Sequence, residues 1–116
     1  MKAFETVEDG DYKVSIESAT IGNSKKGNLM VTYKLKVLEG KSVGKIIFKY
    51  DLLTSMKMIA WAKRSLMAIG IYSQKEGAEF RDLMPELLKG IVGKIAMINK
   101  KTNNGYENIR FISVVE

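Results

Sequence analysis

Residues 29–37 read Leu-Met-Val-Thr-Tyr-Lys-Leu-Lys-Val, the clearest alternation of apolar and polar side chains in the chain. Tyr33 falls on the apolar face, whereas Lys34 and Lys36 fall on the other. Successive side chains of a strand point to opposite faces of a sheet, so the stretch predicts a half-buried β-strand. We expect Tyr33 to lie in the core.

Two similar stretches lie on either side of this strand. Residues 12–17 and 45–52 also alternate, and the chain between the three stretches is polar. Residues 22–28 and 39–44 contain the Gly, Asn, Ser and Lys that are typical of turns and loops. Three consecutive strands with short loops favour an antiparallel meander.

The periodicity becomes helical after the third strand. Ser55 fits an N-cap, residues 56–69 repeat apolar side chains at helical spacing, and Gly70 fits the end of a helix. Trp61 lies beside the apolar stripe of this helix, which favours a place in the core over a place in a binding site.

The remaining chain predicts two more strands. Residues 71–82 show little periodicity, which predicts an irregular or partly helical stretch, and residues 84–90 predict a short helical turn. Residues 92–100 and 106–115 are strand-like, and Asn-Asn-Gly lies between them at 103–105. Asn and Gly tolerate positive φ, so this sequence predicts a hairpin.

The predicted order is three strands, one helix and two strands. This is the order of the OB-fold, a five-stranded Greek-key barrel with an α-helix between strands three and four. The chain has 116 residues and a hydrophobic fraction of 46%, which suffices for one core. We therefore expect a mainly β protein in which residues 1–116 form a single OB-fold domain.

The composition argues against an enzyme. The chain has no Cys and no His, which removes thiolate nucleophiles, the commonest general base and the usual zinc ligands. We therefore expect no catalytic residues, no cofactor and no metal. The longest apolar run, residues 58–62, is too short to cross a bilayer, and residues 1–5 lack an apolar signal core. These features predict a soluble cytoplasmic protein with no membrane partner.

The net charge of +6 makes polyanions the expected charged partners. Basic and aromatic residues are interleaved on the surfaces with which an OB-fold binds its ligand, namely strands two and three and the loops 1–2 and 4–5. Lysines neutralise phosphates, and aromatic rings stack on bases. The candidate DNA-binding residues are Lys25, Lys26, Lys34, Lys36, Lys45, Phe48, Lys49, Tyr50, Lys100, Lys101, Tyr106 and Arg110.

These candidates differ in how far the pattern determines their place. Phe48 and Tyr50 share the apolar face of the third predicted strand, so the alternation leaves open whether they face the core or the ligand. Tyr106 follows the turn directly and is the aromatic residue that we expect to be exposed. Lys100 and Lys101 precede the same turn, and they are the lysines that we most expect to contact the ligand.

Several short motifs resemble a family of small single-stranded DNA-binding proteins encoded by phages, lactococcal phages among them. The resemblance is carried by GDYKV at 10–14, SKKGN at 24–28, VLEG at 37–40, GKIIF at 44–48, LLKG at 87–90 and GK at 93–94. It implies an OB-fold that coats single-stranded DNA during replication or recombination in the cytoplasm of an infected bacterium. It also implies a homodimer and points to a recombinase as a protein partner.

The sequence leaves two other functions open. The apolar stretch 92–98 and the seven Met residues also suit a protein-interaction or assembly module. The groove of an OB-fold also binds RNA, which makes an RNA-binding domain the second alternative.

Overall fold

The computed structural model describes residues 7–115, and these form a mainly β structure with two helices. The elements are β1 (Gly10–Asn23), β2 (Leu29–Val37), β3 (Ile46–Leu52), α1 (Met56–Ala68), α2 (Gly77–Lys89), β4 (Ile95–Asn103) and β5 (Tyr106–Val115). The five predicted strands are confirmed, and β2 has the predicted bounds. Within this part of the chain, neither helix is long and apolar enough to cross a membrane.

The strands form one antiparallel sheet in the order β3-β2-β1-β4-β5. β1 is the longest strand and pairs with β2 on one side and β4 on the other. Because every neighbouring pair is antiparallel, β3 and β5 run in the same direction at the two edges. Among the described residues no ladder joins these edges, so the sheet does not close into a barrel. α1 contacts both edge strands.

The core lies between the inner face of the sheet and the two helices. Tyr33 is fully buried, as predicted from the alternation in β2. α1 contributes Ile59, Ala62 and Leu66 to the same cluster. Full burial of an aliphatic side chain contributes about 1.5–3 kcal/mol, so these inward positions supply most of the stability of the fold.

Helix α1 begins and ends as its sequence predicts. The Ser55 hydroxyl accepts a hydrogen bond of 3.2 Å from the backbone N–H of Met58. Gly70 has a φ of 90°, and the N–H of Ile71 donates to the carbonyl of Leu66 at 2.9 Å. This is a Schellman motif, in which glycine takes the left-handed position without strain.

A second full helix occupies a region where we expected only partly helical chain and a short helical turn. The prediction of a single α-helix between β3 and β4 was wrong, because α2 spans Gly77–Lys89. This region had been predicted to be irregular or partly helical over 71–82 and to form a short helical turn over 84–90. Phe80, Met84 and Leu88 are four residues apart and all buried, and their shared face holds the helix on the core. Pro85 lies on the exposed side, and the helix continues through it.

The hairpin between β4 and β5 is confirmed. Asn104 and Gly105 both have positive φ, at 53° and 81°, and Asn103 pairs with Tyr106. Positive φ at both central residues is the mark of a type I′ turn, whose twist matches that of the flanking strands.

The structure answers the open question about β3. Ile47 and Lys49 point inward, and the Lys49 side chain is only 5% exposed. Phe48 and Tyr50 point outward and are 45% and 56% exposed. The more apolar face of β3 therefore faces solvent.

This arrangement of β3 predicts the relative cost of two adjacent truncations. We expect Ile47→Ala to lower the free energy of unfolding by about 2–5 kcal/mol, because it leaves a cavity in the core. Phe48→Ala should cost about 1 kcal/mol or less, because much of its ring is already in water. Urea unfolding of both variants measures the difference. A larger loss in Phe48→Ala would contradict the assignment of the two faces.

Candidate functional site

A groove runs between the two edge strands of the sheet. Its larger part is a cleft of about 640 Å³ between β3, β5 and α1. A second part of about 370 Å³ continues towards the β4–β5 hairpin. Both parts share residues of β3 and β5, so we treat them together as the edge groove. The edge groove is lined by residues 48–52, residues 105–111, Met58, Trp61, Arg64 and Ser65.

Four exposed aromatic side chains line the edge groove. They are Phe48 and Tyr50 on β3, Trp61 on α1 and Tyr106 on β5. The rings of Phe48 and Tyr50 stack on each other, with centroids 6.4 Å apart and planes 18° apart. Exposed, parallel rings of this kind offer π faces to planar ligands, and the bases of a single strand are such ligands.

A buried ion pair lies on the inner face of β3, directly under this surface. The Nζ atom of Lys49 lies 2.7 Å from Oδ1 of Asp51. It also lies 5.5 Å from the ring centroid of Tyr33 and 5.4 Å from that of Phe111. A buried charge is costly unless it is paired, and here the carboxylate and two ring faces surround the ammonium. Lys49 is thereby stable on the inner face of the sheet.

A second buried lysine fastens the hairpin to the start of β1. The Nζ atom of Lys100 lies 3.3 Å from Oδ1 of Asp9 and 3.6 Å from Oε2 of Glu107. The backbone N–H of Thr102 donates to Asp9 at 2.9 Å, and this hydrogen bond lowers the pKa of the Asp9 carboxyl. The network links the segment that precedes β1 to β4 and to β5, the strand that begins with Tyr106.

Two of the lysines that were predicted to contact DNA are therefore paired with carboxylates of the protein itself. The sequence pattern placed Lys49 and Lys100 in the interface, with Lys100 among the residues most expected to contact the ligand. The structure buries both side chains against carboxylates, so that neither ammonium group is free to pair with a phosphate. We remove both from the candidate interface.

Other predicted residues come together on the outer face of β2 and β3. Lys34 lies opposite Phe48, and Lys36 lies opposite Ile46, so both lysines share the face that carries Tyr50. Both are exposed and make no ion pair within residues 7–115. This outer face therefore combines two exposed ammonium groups with the exposed rings of Phe48 and Tyr50.

The remaining predicted residues lie at different distances from this face. Arg110 lines the edge groove from β5, and Lys101 is exposed at the end of β4, which leads into the hairpin. Lys45 is half-buried and immediately precedes β3. Lys25 and Lys26 are exposed in the turn between β1 and β2 and do not line the edge groove.

Helix α1 contributes a part of the site that the sequence pattern did not predict. Trp61 was expected in the core but is half-exposed, because Ile59 and Ala62 face the core and leave the indole at the edge of the helix. Arg64 lines the same cleft. The spacing of Lys57, Trp61 and Arg64 at i, i+4 and i+7 was the available signal, since it puts all three on one helix face.

The edge groove carries a positive charge. Its two acidic residues, Asp51 and Glu107, are each within 4 Å of a buried lysine. Arg64 and Arg110 have no carboxylate partner within the described part of the chain. Across residues 7–115 no group of three acidic side chains could hold a metal ion. The arrangement therefore suits an anion that also carries planar groups.

Comparison with known proteins identifies the family. The chain belongs to the family described as Protein of unknown function (DUF669), which matches residues 1–115. No curated protein matches the chain. The family match covers every strand and helix that lines the edge groove.

The hydroxyl of Tyr33, beneath the groove, should ionise only at unusually high pH. Burial and the nearby Asp51 carboxylate raise the pKa of the Tyr33 phenol well above its ordinary value of 10.0. The unfolded chain ionises first, so the contribution of Tyr33 to stability is full below about pH 10 and falls as the pH rises further.

We expect Tyr33→Phe to remove this alkaline loss of stability. Urea unfolding at about pH 9 and about pH 11 should show a smaller decrease in the variant than in the original protein. Tyr72→Phe, at an exposed tyrosine, is the matched control and should keep the full decrease. An identical decrease in the Tyr33→Phe variant would contradict the assigned environment.

Proposed function

We propose that this protein binds single-stranded DNA, without catalysis and with weak sequence specificity. The observation that carries the proposal is the set of exposed rings in one positively charged groove, beside Lys34 and Lys36. Lysine and arginine release counterions from phosphates, and each base stacked on a ring contributes about 1–3 kcal/mol. Stacking does not depend on base identity, so affinity should vary little with sequence.

We further propose that the sheet is an OB-fold that is open between β3 and β5. The support is the strand order, with β1 pairing with both β2 and β4 and the helices lying between β3 and β4. An OB-fold joins its strands in the same order, and its ligand lies on strands two and three between loops 1–2 and 4–5. Phe48, Tyr50, Lys34 and Lys36 occupy the corresponding face.

The biological setting that we propose is replication or recombination of phage DNA in the cytoplasm of an infected bacterium. A homodimer that works with a recombinase belongs to the same proposal. Its support is the sequence resemblance to phage single-stranded DNA-binding proteins, which includes the motifs at 10–14 and 24–28.

The proposal is preferred over a protein-interaction module because of where the apolar stretch 92–98 lies. Most of it belongs to β4, in which Ala96 and Ile98 are fully buried. These side chains belong to the core and offer no docking surface.

RNA remains a ligand that the same rings and cations accept, so it is one arm of the test.

Binding should be tight at low salt and strongly dependent on salt. If Lys34, Lys36, Arg64 and Arg110 each neutralise one phosphate, the log–log salt slope is about −2.8. Affinity then falls roughly fifty-fold between about 50 and about 200 mM salt. Fluorescence anisotropy with labelled oligo-dT measures this, with duplex DNA and an RNA oligomer as comparisons. No binding at micromolar protein and low salt would refute the proposal, and tighter binding to RNA would assign the groove to RNA.

Charge reversal tests which face carries the phosphates. We expect Lys34→Glu/Lys36→Glu to weaken binding at least about tenfold and to reduce the slope by about 1.4, because two phosphate contacts are lost. Lys75→Glu/Lys89→Glu makes the same change in net charge at exposed positions outside the edge groove and is the control. Because these two lysines pair with Glu79 and Glu86, urea unfolding should first show that this variant is folded. Equal losses in the two double variants would show that binding depends on net charge and not on this face.

A further inference from the structure

Trp61 occupies an unusual position for a tryptophan in a small domain. It is 50% exposed, although indole is among the largest apolar side chains and is mostly buried in folded proteins. It lines the larger part of the edge groove, opposite Arg110 and Phe111 of β5. A ring held at the wall of a cleft is available to stack on a ligand.

The face of α1 that carries Trp61 also carries one cation before it and one after it along the helix. Nζ of Lys57 lies 5.1 Å from the ring centroid of Trp61, and Arg64 follows one turn later. The helix therefore presents an ammonium, an indole and a guanidinium in succession along one stripe. A stripe of this composition matches a base that is flanked by phosphates, and it does not match an uncharged peptide.

Two guanidinium groups approach the cleft from different elements. Arg64 comes from α1 and Arg110 from β5, and neither is paired with a carboxylate within residues 7–115. Asp51 also lines the cleft, but its charge is taken up by Lys49 at 2.7 Å. Guanidinium groups bind phosphate oxygens with two parallel hydrogen bonds, which makes phosphate the anion that suits this pair.

We infer that α1 and β5 form an additional nucleotide subsite, in which a base stacks on Trp61 and its phosphate lies between Arg64 and Arg110. The inference rests on the proposed function and deepens it. Tyr50 lines both parts of the edge groove and connects this subsite to Phe48 and Tyr106. The bound strand thus leaves the sheet and continues onto the helix.

The single Trp of the chain provides a direct readout of the subsite. Unlabelled oligo-dT is titrated while indole fluorescence is recorded, and labelled oligo-dT is followed in parallel by anisotropy. We expect quenching that saturates together with the anisotropy change. Polyglutamate, which has charge but no bases, should leave the indole fluorescence unchanged, and equal quenching by polyglutamate would overturn the inference in favour of a general anion site.

Variants separate this subsite from the rest of the groove. Trp61→Ala should weaken oligo-dT binding by about 5- to 150-fold, the loss expected for one stacked base. Arg64→Gln should reduce the salt slope by about 0.7, and it is the second variant if Trp61→Ala does not fold. Tyr72→Ala removes an exposed ring outside the edge groove and should bind normally.

The outcomes distinguish the two proposals. Normal anisotropy binding with no indole quenching, and with unchanged affinity in Trp61→Ala, would overturn the subsite and leave the proposed function standing. Absence of oligo-dT binding by anisotropy would overturn both.

Discussion

The ion pair between Lys49 and Asp51 makes possible the orientation of β3 in which Phe48 and Tyr50 meet solvent. The two charges lie 2.7 Å apart on the inner face, and the rings of Tyr33 and Phe111 surround the ammonium. An isolated buried charge costs several kcal/mol, so neither residue is stable there without the other. Because side chains alternate along a strand, their place inside puts the stacked aromatic pair of β3 outside.

Pairing of acidic side chains with buried lysines also determines the charge of the edge groove. Lys49 and Lys100 point inward and neutralise the acidic side chains that would otherwise oppose a phosphate. The cations that remain, on the outer face of β2 and in the cleft beside α1, are paired with no carboxylate within residues 7–115. A groove with exposed rings and uncompensated cations favours a ligand that repeats planar groups and negative charges, which is the chemistry of a single nucleic-acid strand.

Sequence patterns that depend on neighbouring residues predicted most of the fold but only part of the candidate site. The strands, the caps of α1 and the Asn-Gly hairpin follow from alternation, capping and turn preferences, all of which act between neighbours in sequence. The face of β3 did not follow, because Lys49 is stable inside only through Asp51 and two rings from other strands. The burial of Lys100 was not predicted either, because its partners Asp9 and Glu107 lie on other segments of the chain. The full length of α2 was not predicted, because the helix contains a proline. The exposure of Trp61 was not predicted, because the residue lies beside the buried stripe of α1.

Photo-crosslinking identifies the side chains that lie against a bound strand, and we propose that these are the outward rings of β3 and α1. An oligonucleotide that carries 5-iodouracil is bound and irradiated, and the attached peptides are identified by mass spectrometry. We expect crosslinks at Phe48, Tyr50 and Trp61, which line the edge groove, and none at the exposed Tyr72. Crosslinks confined to Tyr72 or to the outer face of β1 and β4 would contradict the account.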